Sequence, residues 1–252
     1  MTVRPITVNP APDRVVQLRG VERHFRLGRT LVPALRGIDL DVHRGDFLAI
    51  AGPSGSGKTT LLNVAGCIDK PDRGTVVVAD RDVTAVPTHR LATLRNRFFG
   101  YVFQTFNLIP VLSAYENVEF PLRLAGVGRA ERRRRTDELL SAVGLADHRR
   151  HRPHELSGGQ RQRVAIARAL VTEPLAVLAD EPTANLDSRT GGEILDLMSA
   201  LNVERRVTFV FSTHDRQIIS RARRVAWIAD GRFVPTEAER PAAAPQLAAV
   251  GA

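Results

Sequence analysis

A short apolar strand, Asp46–Ala51, runs straight into Gly52-Pro53-Ser54-Gly55-Ser56-Gly57-Lys58-Thr59, and no other junction in the chain restricts the possible folds as much. The eight residues fit the pattern G-x-x-x-x-G-K-[ST], and a helical stretch, Thr60–Cys67, follows them. Glycines let the backbone curl until successive N–H groups face one centre, which makes a nest for an anion. The helix adds the positive end of its dipole. Lys58 can reach the β- and γ-phosphates of a bound nucleotide, and the Thr59 hydroxyl can ligate Mg²⁺. Read blandly, the segment is only a glycine-rich turn between strand and helix, but strand, helix, Lys and Thr are all in place.

The surrounding pattern is of the same architecture. Alternation of apolar and polar residues predicts strands at Arg14–Leu18 and Ile38–Val42, and Thr75–Ala79 and Gly100–Gln104 are further candidates. Helical spacing dominates the middle of the chain at Ser113–Ala125, Arg129–Val143 and Gly158–Val171. Strands then alternate with helices: Leu175–Ala179, helix Arg189–Leu201, Val207–Ser212, helix Asp215–Ser220 and Val225–Ala229. Such alternation implies a parallel sheet with helices on its faces. The expected organisation is an α/β core over 14–234 with a helical lobe inserted at about 105–172. Tails at 1–13 and 235–252, the latter rich in Ala and Pro, are expected to be flexible.

Composition excludes several classes. With 252 residues, 43% of them hydrophobic and 25% charged, the chain can bury a large core. No run approaches the roughly 18 consecutive apolar residues of a membrane span. Met1 to Pro12 lacks the apolar centre of a signal peptide. One cysteine, Cys67, allows neither an internal disulfide framework nor a multi-cysteine zinc site, and a cytosolic chain is expected. The net charge of +9 comes almost wholly from arginine, since Lys58 and Lys70 are the only lysines. That surplus invites a nucleic-acid reading, to be weighed against a solvated face at Arg132–Arg135, where Glu131, Asp137 and Glu138 are interspersed. His148–Arg152 could meet acidic loops or anionic headgroups.

Two further motifs carry chemistry. Asp180-Glu181 ends a predicted strand, where ligands bind in open α/β sheets. One carboxylate can hold Mg²⁺, usually through water, while the other accepts a proton from attacking water. Leu156-Ser157-Gly158-Gly159-Gln160 opens a helix with Ser157 as its N-cap. Two glycines there cost helix stability, about 1 kcal/mol each relative to alanine. They make better sense where a ligand must approach the backbone closely.

In this order, the phosphate loop at 52–59, Gln104, LSGGQ at 156–160, Asp180-Glu181, Asn185-Leu186-Asp187 and His214 make the chain resemble the ATPase subunit of an ATP-binding cassette (ABC) transporter. The likeness spans about 14–234. The stretches VFQTFNLIPVLSAYENVEFPL at 102–122 and DEPTANLD at 180–187 are similar to the macrolide-exporter and lipoprotein-releasing types. The resemblance implies a P-loop NTPase core with a mixed sheet, an N-terminal antiparallel β subdomain and an inserted α-helical subdomain. It implies ATP and Mg²⁺ as ligands, hydrolysis of ATP to ADP and phosphate, and a head-to-tail homodimer in the ATP-bound state. Gly52, Pro53, Ser54, Gly55, Ser56, Gly57, Lys58, Thr59 and Thr60 of one subunit would meet each ATP, with Ser157, Gly158, Gly159 and Gln160 of the other.

The remaining roles follow by position. Glu181 would be the general base and His214 its orienting partner at the γ-phosphate. Gln104 would touch Mg²⁺ and the water and link the core to the helical lobe. Thr59 and Asp180 would complete the metal site, and Asn185, Leu186 and Asp187 would communicate across the dimer. Phe25 stands where the family carries an aromatic stacking on adenine, with a buried core Phe as the competing reading. Integral-membrane permease subunits are the implied partners, at the inner face of the cell membrane and without nucleic acid, for export or extraction of a hydrophobic or amphipathic substrate. A cassette with mechanical or signalling output, or one acting on nucleic acid, is the alternative.

Overall fold

The computed structural model describes residues 13–234. The flexible tails expected at 1–13 and 235–252 lie outside them, apart from Asp13. Two sheets organise the chain. The first has the order β2-β1-β4-β5 and is antiparallel throughout, from β1 (Arg14–Leu27), β2 (Thr30–His43), β4 (Arg73–Val78) and β5 (Arg81–Asp82). The second has six strands in the order β10-β9-β3-β8-β7-β6. Its members are β3 (Phe47–Ala51), β6 (Phe99–Val102), β7 (Ala176–Asp180), β8 (Phe209–Thr213), β9 (Arg224–Ala229) and β10 (Arg232–Val234). All neighbours in it are parallel except β9 and β10, so the sheet is mixed.

Strand alternation divides the interior into two cores. Phe47, Ala49, Val177, Ala179, Phe209 and Phe211 face one side, beneath α3 (Ala114–Leu124), α4 (Arg129–Ala142), α5 (Gly158–Leu170) and α6 (Ser188–Arg205). Leu48, Ile50, Ala176, Leu178 and Val210 face the other, against α1 (Lys58–Ala65) and the antiparallel sheet. Residues i and i+2 share a face, so a strand covered on both sides must be apolar throughout. That is why FLAIA is uninterrupted. Cys67 lies in the second core, where burial pushes its thiol up to about 11, beyond the reach of thiolate chemistry at neutral pH.

Between β6 and β7 the chain leaves the sheet to form α3, α4 and α5. Ser113 caps α3 in a reciprocal box with Glu116. The fully buried Asn117 bonds both the N–H and the carbonyl of Ile109, tying down the loop that precedes the helix. Among the described residues no helix is long and apolar enough to cross a membrane.

Three differences from the sequence expectation have local causes. Helix α2 (Thr88–Phe98) was not anticipated, because only Leu91 and Phe98 of its eleven residues are buried. β1 and β2 run well past the expected strands, to Leu27 and from Thr30. Their pairing shifts register between Leu18 and Val21 and again near Arg23 and His24, which breaks the alternation. The strand at β6 ends at Val102, so Gln104 stands in the following loop rather than in the strand.

Gly100 shows how tightly helix and sheet are fitted. A Cβ there would overlap the carbonyl of Ala169 on α5, a backbone atom with no rotamer by which to move away. Gly100→Ala should therefore lower stability by about 1–3 kcal/mol. Thermal and denaturant melts measure this, and an unchanged midpoint would contradict the close approach.

Candidate functional site

The loop after β3 is shaped by two glycines that tolerate nothing larger. A Cβ on Gly52 would overlap the Ile228 carbonyl oxygen of β9. Gly57 has φ of 105°, and a Cβ there would overlap the Ala34 carbonyl. The first N–H groups of α1 have no carbonyl partner within the helix. Lys58, buried, turns its ammonium back to donate to the Gly52 and Pro53 carbonyls at 2.9 and 2.8 Å. Burial lowers its pKa, while the nearby charges of Glu181 and Asp180 oppose that shift. Among the described residues, the buried Ser56 hydroxyl has no hydrogen-bond partner.

The ends of β7 and β8 deliver the carboxylates. The Thr59 hydroxyl donates to Asp180 at 3.1 Å, so a hydroxyl and a carboxylate meet beside the loop. Glu181 follows in a left-handed conformation, φ 45°, anchored by its N–H to the Ser212 carbonyl. A non-glycine residue in this region is held by its surroundings, and such positions gather at functional sites. Two neighbours on β8 and its exit loop grip the carboxylate. The Thr213 hydroxyl donates to Oε2 at 3.1 Å, and His214 Nδ1 lies 2.6 Å from Oε1. Thr213 also accepts the Asp215 N–H, and Asp215 accepts the Thr183 hydroxyl at 2.9 Å. The exits of the two strands are thus cross-linked.

One cleft of about 450 Å³ gathers Ser54, Gly55, Gly57, Lys58, Thr59 and Thr60 with Gln104, Asp180, Glu181 and His214. Phe25 lines it as well. It is 41% exposed with the Arg23 guanidinium 5.0 Å from its ring centre, so the buried-core reading of this residue does not hold. Gln104 is fixed through its backbone, since its carbonyl accepts the Asn185 amide at 2.9 Å.

Ser157, Gly158, Gly159 and Gln160 do not line the cleft. Ser157 accepts the Gln160 N–H, the Gln160 side chain accepts the Ser157 N–H, and its amide nitrogen lies 3.0 Å from His148 Nε2. Gly159 sits where a Cβ would come within 2.6 Å of Thr190 Cγ2, and Gly158 packs on Leu186. Asp187 caps α6 by accepting the Thr190 N–H at 3.0 Å, which also holds its carboxyl below the usual range.

Sequence reasoning did not single out Thr213, Thr183 or Asp215, nor the tie from Asn185 to Gln104. Polar residues flanking His214 at a strand exit were the available signal. Among the described residues no group of three or more His, Cys, Asp or Glu side chains could hold a metal.

Residues 35–184 match the family described as ABC transporter. The chain is 45% identical over 221 residues to an ABC transporter ATP-binding protein of Bacillus subtilis, YknY, covering 88% of this chain and 96% of that one. It is 48% identical over 223 residues to the macrolide export ATP-binding/permease protein MacB of Syntrophobacter fumaroxidans, covering 88% of this chain but only 31% of that longer protein. A dimeric post-hydrolysis structure of the ATP-binding cassette MJ0796, bound to ADP and Pi, superposes with a TM-score of 0.79. That pair is 42% identical, with 86% of this chain and 96% of that one covered.

The loop geometry predicts a specific intolerance. Gly57→Ala would place a side chain at positive φ, at a cost of about 1–2 kcal/mol, and push on the Ala34 backbone. We expect a lower melting midpoint together with weakened nucleotide binding in a fluorescence titration. Wild-type binding in a fully stable variant would contradict the geometry.

Proposed function

The chain belongs to the ABC transporter family, as an ATP-binding and ATP-hydrolysing subunit, and from that premise we propose how its residues divide the work. The observation that carries the proposal is the incompleteness of the cleft: one copy supplies a phosphate loop, two carboxylates, a glutamine and a histidine, while Ser157–Gln160 stand elsewhere on the same chain. A second copy placed head to tail closes each site with its own Ser157–Gln160. ATP then supplies the charge and the acceptors that join the two subunits, and hydrolysis weakens the join.

Within each site Lys58 exchanges its loop carbonyls for phosphate oxygens, and the N–H groups of Ser54–Thr60 surround them. Phe25 offers its exposed face to the adenine ring. Thr59, Asp180 and Gln104 fit Mg²⁺ because they offer hard oxygens close together, as the contact from Thr59 to Asp180 illustrates. When bound, the metal neutralises charge on the β- and γ-phosphates. Water attacks the γ-phosphorus in line. As the new P–O bond forms, the bond to ADP breaks and Glu181 takes the proton from the water. Thr213 and His214 keep that carboxylate aimed, and Asn185 holds the backbone of Gln104 beside it. Asp187, already the cap of α6, sits with Asn185 and Leu186 where the second subunit would meet them.

The working unit extends beyond the cassette. We place the chain on the inner face of a cell membrane, bound to permease subunits and driving export or extraction of a hydrophobic or amphipathic substrate. MacB, whose name joins an ATP-binding part and a permease in one protein, supports this reading.

Two experiments test it. Glu181→Gln should bind ATP and accumulate as a dimer in size-exclusion chromatography while turnover falls on the order of 10²- to 10⁴-fold. Unchanged turnover would remove Glu181 from the role of base. Affinity purification of the full chain from solubilised native membranes should recover an integral-membrane partner, whereas recovery only as a free monomer would sink the assignment to a permease.

A further inference from the structure

Two arginines of α5 end on the loop that carries Gln104 rather than on carboxylates. Arg168 donates to the Asn107 carbonyl at 2.5 Å and to the Phe106 carbonyl at 2.8 Å. Arg161 lays its guanidinium over the Phe106 ring, 5.0 Å from the centre. Burial pulls the Arg168 pKa down to about 10, and among the described residues it has no ion-pair partner. The guanidinium is half-buried, and the two backbone carbonyls replace part of the hydration it gives up there.

The backbone it grips is unusual. Phe106 and Asn107 have φ of 62° and 48°, two successive left-handed residues. Asparagine tolerates that region and a bulky phenylalanine does not, so the turn persists only because its surroundings hold it. Its internal ties are short-range: Phe106 N–H to the Phe103 carbonyl, and the Thr105 hydroxyl to the Asn107 side chain. The left-handed pair turns both carbonyls toward α5, where one planar guanidinium meets them together. Gln104 lies two residues upstream, held on its other side by Asn185.

We propose that Arg168 is a positioning residue for ATP hydrolysis: it latches the strained turn at Phe106 and Asn107 and thereby sets where Gln104 stands in the cleft. The proposal rests on the reading of that cleft as an ATP site. The latch is on the same rigid helix that begins with Gly158, ten residues or about 15 Å away. A displacement of the segment that meets the second subunit is therefore felt at the Gln104 loop without passing through the sheet. Lysine keeps a charged donor but loses the planar fork that meets both carbonyls together, and methionine keeps no donor.

The test uses the full chain with Arg168→Met, Arg168→Lys, Gln104→Ala and the double variant of Arg168→Met with Gln104→Ala. Arg168→Met should lower kcat on the order of 10- to 100-fold, as misplacement of a reacting group does. Its ATP affinity should stay within about three-fold, because the phosphate loop is untouched. Arg168→Lys should recover part of the loss. In the double variant turnover should fall no further than in Gln104→Ala alone, since both changes disable the same group. Hydrogen exchange, read without nucleotide, should speed up at residues 103–108 in Arg168→Met and stay unchanged in α1 and β8.

Losses that multiply in the double variant, wild-type turnover in Arg168→Met, or unaltered exchange at 103–108 would each overturn the proposal. If Arg168→Met does not fold, Arg168→Lys combined with Gln104→Ala carries the same comparison. A wild-type protein without ATPase activity would overturn the ATP reading itself, while the exchange experiment would still judge the latch.

Discussion

Everything in this molecule depends on three strands, β3, β7 and β8, that are covered on both faces. Their interior positions are almost wholly apolar, the Ser212 hydroxyl on β8 being a buried exception, because burying a polar group without a partner costs several times a typical net hydrogen bond. Chemistry is therefore confined to the strand exits, where the backbone leaves the sheet and water or ligand can reach side chains. β3 exits into the loop at 52–57, β7 into Asp180 and Glu181, and β8 into Thr213 and His214. Because the strands are parallel and adjacent, these exits lie side by side. The site is a consequence of the sheet's direction as much as of its residue types. The polar residues at the exits then stabilise one another, as the network from Thr183 through Asp215 and Thr213 to Glu181 shows.

What could be read from the sequence divides along physical lines. The glycine-rich turn at 52–57 was legible because strand, turn and helix are contiguous and each residue type answers a local demand. Asp180 and Glu181 were legible for the same reason. Gln104 and His214 are ordinary residues when seen singly, and only their order relative to the other motifs pointed to them. α2 was hidden because a helix with two buried residues leaves almost no apolar period. The outer hairpin was hidden because register shifts scramble alternation where the strands are most exposed. The grip of Asn185 on Gln104 and that of Arg168 on Phe106 and Asn107 span 81, 62 and 61 positions, and each ends on a backbone atom that has no residue identity to read.

Charge, the loudest global signal of the sequence, has a quieter meaning in the fold. The run Arg132–Arg135 is largely spent on neighbours: Arg132 pairs with Glu119, Arg133 with Asp137, and Arg134 and Arg135 with Glu131. Those two guanidiniums hold the Glu131 carboxyl down at about 2. Exposed pairs of this kind contribute little to stability, but they use up positive charge that a nucleic acid would need. Arg23 has a more structural task, since it bonds both Asp69 and Asp72 and so ties the hairpin bearing Phe25 to the segment after α1. The solvated-face reading of the arginine run fits these contacts. The bonds of Arg168 are of a different kind, addressed to backbone carbonyls.

The posture of Lys58 bears on what happens between turnovers. Its ammonium spans the Gly52 and Pro53 carbonyls, so the lysine acts as an internal crosslink on the loop proposed to receive phosphate. Under the proposed function, ligand entry is a substitution of one set of acceptors for another, with little folding left to do. The entropy of shaping the nest is met when the protein folds rather than at each cycle. Under the proposed function, an incoming ATP would meet a mould instead of a floppy strand of glycines.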